Sequence, residues 1–238
     1  MSLPPVHWWR TVFFLIPVIA AYTIVLGTLS LLAGLFDRRG NLAHRCAQLW
    51  ARLIVSTSGV RIETGGRPLP PAGASAVFVS NHASFFDVPI IFSALPRQLR
   101  IMAKSSLIYV PFIGWHLYRS GHVLVDRDRP GASIFKRMQR MARSGASLIV
   151  FPEAGRNDGD LLKFKAGIFL LAIEHRLPVV PITVIGSREV MPRGRLRVQP
   201  GTVRVVVHAT LATSTLTRDD ARQLAARVEA IVRSALPS

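Results

Sequence analysis

AVFVSNHASFFDVPIIFSAL, residues 76–95, carries the reading on which the fold turns. Its first five residues are a short apolar run of strand type. Asn81 to Ser84 are small and polar, and FFDVPIIFSAL has the length and spacing of a helix. Strand, turn and helix in that order are the unit of an α/β sheet. The turn contains His82, and Asp87 follows five residues later. A helix advances about 100° per residue, so His82 and Asp87 would fall on different faces of one regular helix. They can touch only if His82 lies in the loop and Asp87 in the first turn of the helix after it. Asn81 and Ser84 are suited to bonding the backbone of such a turn. The plain alternative is an acidic residue at the positive end of a helix and a histidine that only turns the chain. Taken alone, H-x4-D is weak.

Outward from this stretch the pattern repeats. Short apolar runs at Arg100–Ala103, His122–Val125, Leu148–Phe151, Val179–Val184 and Thr202–Ala209 predict further strands. Helical periodicity lies between several of them, at Pro130–Arg143 and Lys163–His175. The pattern predicts an α/β fold, a mixed sheet flanked by helices. RPLPPAG, 67–73, reads as a loop. The tail TRDDARQLAARVEAIVRSAL opens with Thr217 and, three residues on, Asp220, a capping signal before a terminal amphipathic helix. No internal repeat or low-complexity tract occurs.

The N-terminal part differs. Thr11–Phe36 is uncharged over 26 residues, about 39 Å as one helix against a hydrocarbon core of about 30 Å. It could span with tilt, and Pro17 and Gly27 are break points that keep a re-entrant hairpin open. His7, Trp8, Trp9 and Arg10 resemble an interfacial belt. The apolar run is too long for a cleaved signal peptide and lacks a small-residue cleavage site. NLAHRCAQLWARLIV, from residue 41, places Leu42, Cys46, Leu49, Trp50, Leu53 and Ile54 at helical spacing. That suits an amphipathic helix on the headgroups or one packed on the domain core. Residues 1–58 are therefore read as N-terminal membrane-associated helices, and 59–238 as the catalytic domain. If the apolar segment spans, the excess of Arg38, Arg39, Arg45 and Arg52 over Arg10 puts that domain on the cytoplasmic side.

Composition agrees with a membrane-surface protein. Half of the 238 residues are hydrophobic, and 30 basic against 13 acidic residues give a net charge of +17. Mean hydropathy is +0.34. Such a surplus favours an anionic partner. The arginines are scattered and no zinc-finger, basic-zipper or RNA-recognition pattern appears, so nucleic acid is not the expected partner. The single cysteine, Cys46, excludes an intrachain disulfide and reads as a packing residue. His116, His122, His175 and His208 lack metal-ligand spacing, and no dinucleotide or P-loop glycine pattern occurs.

Four further motifs change the weight of H-x4-D. GHVLVDR, 121–127, ends a strand in Asp126 and Arg127. FPEAGRN, 151–157, ends another in Glu153 and Arg156. KFKAGIF, 163–169, and LPVVPITVIGS, 177–187, follow. Ligands gather beyond strand ends in open α/β sheets. From Ser80 to Ser187 the order of these blocks resembles the glycerolipid acyltransferases, most of all the bacterial lysophosphatidic acid acyltransferases. NHASFFD is similar to their N-H-x4-D block, GHVLVDR to the second, and LPVVPITV to the fourth. KSSLIYVPFIGW, 104–115, resembles the stretch between the first two. The third block departs: Ala154 and Gly155 stand where the family carries Gly-Thr, with Glu153 and Arg156 in register.

The resemblance implies transfer of an acyl group from acyl-CoA or acyl carrier protein to the free sn-2 hydroxyl of lysophosphatidic acid at a bilayer, without bound cofactor or metal. It implies a bacterial inner-membrane location. His82 would be general base, Asp87 its steering acid, and Arg127, Arg156, Glu153 and Lys104 would serve substrate binding. The chemistry is consistent: an alcohol needs a base near neutral pH and neutral imidazole is one, while no G-x-S-x-G elbow is present. The altered third block keeps another acceptor open, a lyso-aminolipid or another lysophospholipid. A non-enzymatic basic membrane-surface or nucleic-acid-binding protein is the remaining class.

Overall fold

The computed structural model describes residues 6–37, 40–126, 133–153, 155–157 and 160–237. Arg38, Arg39, Arg127, Ala154 and the start of the helix predicted from Pro130 lie outside these. The strands are β1 (Val60–Gly66), β2 (Val77–Ser80), β3 (Leu99–Lys104), β4 (Val123–Val125), β5 (Ser147–Val150), β6 (Val179–Ile185) and β7 (Gly201–Val207). They form one seven-stranded sheet in the order β1-β7-β6-β2-β5-β3-β4. Every neighbouring pair is parallel except β6 and β7. The helices are α1 (Val6–Arg10), α2 (Ile16–Phe36), α3 (Asn41–Ser58), α4 (Asp87–Ala94), α5 (Ile113–Arg119), α6 (Ser133–Arg143), α7 (Gly167–Glu174), α8 (Ser187–Val190) and α9 (Ala221–Ser234). The expected mixed sheet flanked by helices is what forms.

The central strands read as continuous apolar runs because both faces are covered. All four residues of β2 and of β5 are buried. Phe78, Ile149 and Val180 pack with Ile90 and Ile91 of α4 and Ile54 of α3 on one face. Val77, Val79, Leu148 and Val150 pack with Met138 of α6, Phe169 of α7 and Val228 of α9 on the other. Edge strand β1 is absent from the sequence reading. Most of VRIETGG is exposed, so it lacks an apolar run, and its pairing comes from backbone register with β7. Gly66 ends it with φ +103°, where an added Cβ would lie 2.0 Å from the Val207 carbonyl oxygen.

Helix α2 continues from α1 through a π-helical turn, Thr11–Leu15, just before Pro17. Proline has no N–H to give the preceding turn, and the wider turn accommodates that loss. The whole run, Val6–Phe36, has 31 residues. It docks lengthwise on the protein instead of projecting from it. The Trp50 indole N–H donates to Thr23 Oγ1 at 2.9 Å, and Tyr22 and Thr57 hydroxyls are 3.1 Å apart. Gly27 admits Phe112 so closely that a Cβ there would sit 2.8 Å from the Phe112 Cβ. The outward side stays apolar and exposed, through Phe13, Val25, Leu29, Leu32, Leu35 and Phe36. Helix α3 returns antiparallel to α2. Its Ala51, Ile54 and Val55 are buried in the core, while Leu42 and Leu49 are exposed. Of the two readings of this helix, core packing holds for that face.

Three histidines lie in the packing between α3, α5 and the sheet. Burial holds His44 and His116 down at about 4, with lesser depression from Arg100. His122, wholly buried, is pushed down in the same direction. Protons bind His44 and His116 in the unfolded chain near pH 6.5 but not in the folded one until about pH 4. The unfolded state therefore carries more protons in that window, and stability is complete above it and lost on acidification. Each such group contributes a slope of about 1.4 kcal/mol per pH unit. The thermal midpoint in detergent is expected to fall steadily from pH 7 to pH 4.5, and to fall less steeply in His44→Gln. Equal slopes in the two proteins would contradict this.

Candidate active site

Strands β2 and β5 are parallel neighbours, so the segments leaving their carboxyl ends emerge side by side. After β2 come Asn81 and His82; after β5 come Phe151 and Glu153. Asn81 pins the first segment to the third central strand, β6: its amide donates to Val184 O at 2.9 Å, and Val184 N–H donates to its Oδ1 at 2.8 Å. The chain then turns into α4. Ser84 steadies that turn, its Oγ accepting from Phe86 N–H and donating to Met191 O.

Asp87 is the first residue of α4 and is fully buried. Its Oδ2 accepts from His82 Nδ1–H at 2.8 Å, from Ala83 N–H at 2.8 Å and from Ser84 N–H at 2.8 Å. Two of these donors are fixed backbone N–H groups, so this oxygen acts as an acceptor. Nδ1 must then carry the imidazole proton, which leaves the lone pair of the neutral ring on Nε2. The His82 side chain is 17% exposed, and its ring stacks on Phe151 with centroids 4.2 Å apart. The predicted geometry, histidine in the loop and aspartate in the first helical turn, is observed.

Glu153 braces the same loop. Its Oε1 accepts from His82 N–H at 2.6 Å, and its Oε2 accepts from Asn157 Nδ2 and Leu162 N–H, each at 2.8 Å. Asn157 N–H also donates to His82 O. Burial pushes the Glu153 carboxyl up, and these three donors hold part of that rise back. Both oxygens are engaged inside the protein, so Glu153 reaches the site through His82 and not through a free carboxylate. Phe151 and Asn157 received no role from the sequence, although both stand in the FPEAGRN stretch.

Arg156 reaches the same mouth. Its guanidinium carbon lies 3.5 Å over the Phe85 ring, three residues beyond His82, and its backbone oxygen accepts from Arg193 Nη1 at 3.0 Å. Lys104 is exposed at the carboxyl end of β3. Arg127 lies outside the described residues. Behind the loop an almost wholly apolar cavity of about 390 Å³ runs between α2, α3, α4 and α5. Phe85, Phe86 and Met191 line it at the His82 end; His116 and His122 line it deeper in.

The sequence model described as Acyltransferase matches residues 61–185, more than half of the chain. The chain belongs to the acyltransferase family. The matched region holds His82, Asp87, Phe151, Glu153, Arg156 and Asn157. A 1-acyl-sn-glycerol-3-phosphate acyltransferase, BAT2, of Brassica napus chloroplasts is 35% identical over 79% of this chain and 56% of its own length. The alpha form of the human enzyme is 32% identical over 71% of this chain and 62% of its own. The chain thus spans about three-fifths of these curated relatives. Among solved structures, the lysophosphatidic acid acyltransferase PlsC of Thermotoga maritima superposes with a TM-score of 0.71 over 91% of this chain and 92% of its own, at 23% identity. That likeness shows the fold.

Glu153→Gln tests the brace, because its amide would set N–H groups against N–H donors. An unsatisfied buried group costs about 1–3 kcal/mol. The variant is expected to lose about 1–3 kcal/mol of stability and so to melt earlier while secondary structure persists; an unchanged melting profile would show that the brace is idle.

Proposed function

We propose that this chain is a membrane-bound acyltransferase that moves a fatty acyl group from an acyl thioester to the sn-2 hydroxyl of lysophosphatidic acid. The observation carrying the reading is the Asp87 Oδ2 triple acceptor, which leaves His82 Nε2 as a base in the loop that leads to Phe85 and Phe86 on the wall of an apolar cavity. His82 Nε2 takes the acceptor hydroxyl proton as the oxygen attacks the thioester carbonyl carbon. The carbon–sulfur bond breaks in the collapse of the tetrahedral adduct, and the imidazolium returns that proton to the departing thiolate. The products are an ester and a free thiol, and no acyl-enzyme forms. Asp87 keeps the ring in its tautomer and stabilises the imidazolium.

Arg156, held flat on Phe85, is the acceptor-phosphate ligand best supported by position, since a guanidinium matches phosphate oxygens bidentately. Lys104, at the carboxyl end of β3, and Arg127, two residues past β4 in sequence, complete the proposed set. Glu153 serves by fixing the His82 loop. The apolar cavity takes the acyl chain. The donor is acyl-CoA or acyl carrier protein, and the exposed apolar side of α2 seats the protein in the bilayer with its domain on the cytoplasmic side.

A radiolabelled acyl-transfer assay with both donors and a panel of phosphorylated and unphosphorylated lysolipids tests this, wild type beside His82→Ala. Loss of a general base lowers the rate by roughly 10²–10⁴; undiminished transfer by the variant would remove His82 from the mechanism. Equal use of unphosphorylated acceptors would remove the phosphate role of Arg156. Ala47→Leu, which fills the cavity, is expected to lower turnover of long-chain donors more than of short ones. An unaltered chain-length profile would place the acyl chain elsewhere.

A further inference from the structure

A second cavity, of about 590 Å³, lies at the opposite end of the sheet from His82. Its wall includes Ser120, Gly121 and His122, which lead into the amino end of β4, whereas His82 follows the carboxyl end of β2. Among the described residues its wall carries five cationic side chains, Arg100, Arg119, Lys136, Arg137 and Arg140, and no carboxylate. The charges come from three elements. Arg100 enters from β3, Arg119 ends α5, and Lys136, Arg137 and Arg140 lie along α6, whose Ile134, Met138 and Met141 face the core. Helix α6 thus turns a basic side to the cavity and an apolar side to the sheet.

The arrangement is built. Arg100 is buried, and its guanidinium donates to Leu99 O at 3.1 Å and Gly40 O at 3.4 Å. Burial lowers it to about 10, with Asp37 opposing, so it stays cationic at neutral pH. Arg137 lies over the Tyr118 ring at 5.9 Å and donates to His122 O at 3.4 Å. Like charges converging on one concavity repel one another, and a bound anion relieves that repulsion.

What borders the cavity decides the kind of anion. A Cβ at Gly34 would lie 3.3 Å from the Arg119 Cγ, so the last turns of α2 abut the cavity rim. Those turns expose Leu32, Leu35 and Phe36, and α5 exposes Trp115 and Tyr118. A cationic hollow continuous with an exposed apolar face fits an amphiphile with an anionic head and a greasy tail. We propose that this cavity binds the phosphate headgroup of an anionic phospholipid of the surrounding bilayer. The site is separate from the catalytic mouth and does not depend on the activity assigned above.

The test is binding of the full-length protein to vesicles of phosphatidylcholine alone and of an equal mixture with phosphatidylglycerol. The wild type is compared with K136Q/R137Q/R140Q and with R204Q/R222Q/R227Q, which removes equal charge at exposed positions elsewhere. The preference for the anionic vesicles is expected to drop by roughly a hundredfold in the first variant and to persist in the second, with acyl transfer in detergent unchanged in both. Equal loss in the two variants would reduce the effect to bulk charge and overturn the site. No loss in the first would also overturn it. Inorganic phosphate and coenzyme A serve as soluble competitors: displacement of the anionic vesicles by either at millimolar concentration would assign the cavity to a soluble phosphate instead of a lipid.

Discussion

One carboxylate oxygen organises the site. Asp87 Oδ2 gathers the imidazole of His82 and the two backbone N–H groups that follow it. Burying a carboxylate is costly unless it is hydrogen-bonded, and this one is bonded to the loop it must shape. The same bonds fold residues 82–84 back over the start of α4. The ring tautomer, the loop path and the helix start are therefore one constraint. A change at Asp87 would disturb all three.

The sheet supplies the second layer of constraint. Because β2 lies between β5 and β6, the segment leaving it can be bonded from both sides. Asn81 ties it to β6 through Val184, and Glu153, leaving β5, ties it through the His82 N–H. The two braces act on the backbone beside His82, and Phe151 fixes the ring plane by stacking. Bonds and stacking of this kind hold the His82 ring in one orientation without loop rearrangement. The N-terminal helices extend the scheme. By docking along the domain, α2 closes one wall of the apolar cavity with Ile19, Thr23, Leu26 and Gly27 while its other side stays apolar and exposed.

Much of this was legible in the residues. The β2–turn–α4 unit could be placed because an apolar run met a polar turn and because five-residue spacing forbids one helix face. The central strands were visible as apolar runs, since both their faces are covered. Strand β1 was not, because VRIETGG is held by register with β7 and not by burial. The amphipathic face of α3 could be seen, but which surface it met could not. Periodicity gives a stripe without naming its partner, and the choice was made by α2 and α4. Glu153 and Arg156 were legible as a charged turn at a strand end. Their division was not: Glu153 is turned inward by three N–H donors, and Arg156 is held at the mouth by Phe85. Arg100 looked like one more scattered arginine, and its burial beneath α5 depends on packing between segments distant in sequence.

The central claim is that Asp87 holds His82 with its proton on Nδ1 and its lone pair on Nε2. Nitrogen NMR of the protein with isotopically labelled histidine reads this directly at neutral pH, with His82→Gln assigning the signal. The account predicts a protonated Nδ1 and a bare Nε2 for His82, and a mixture of tautomers in Asp87→Ala. A His82 ring protonated on Nε2 in the wild type, or one indifferent to the loss of Asp87, would contradict it.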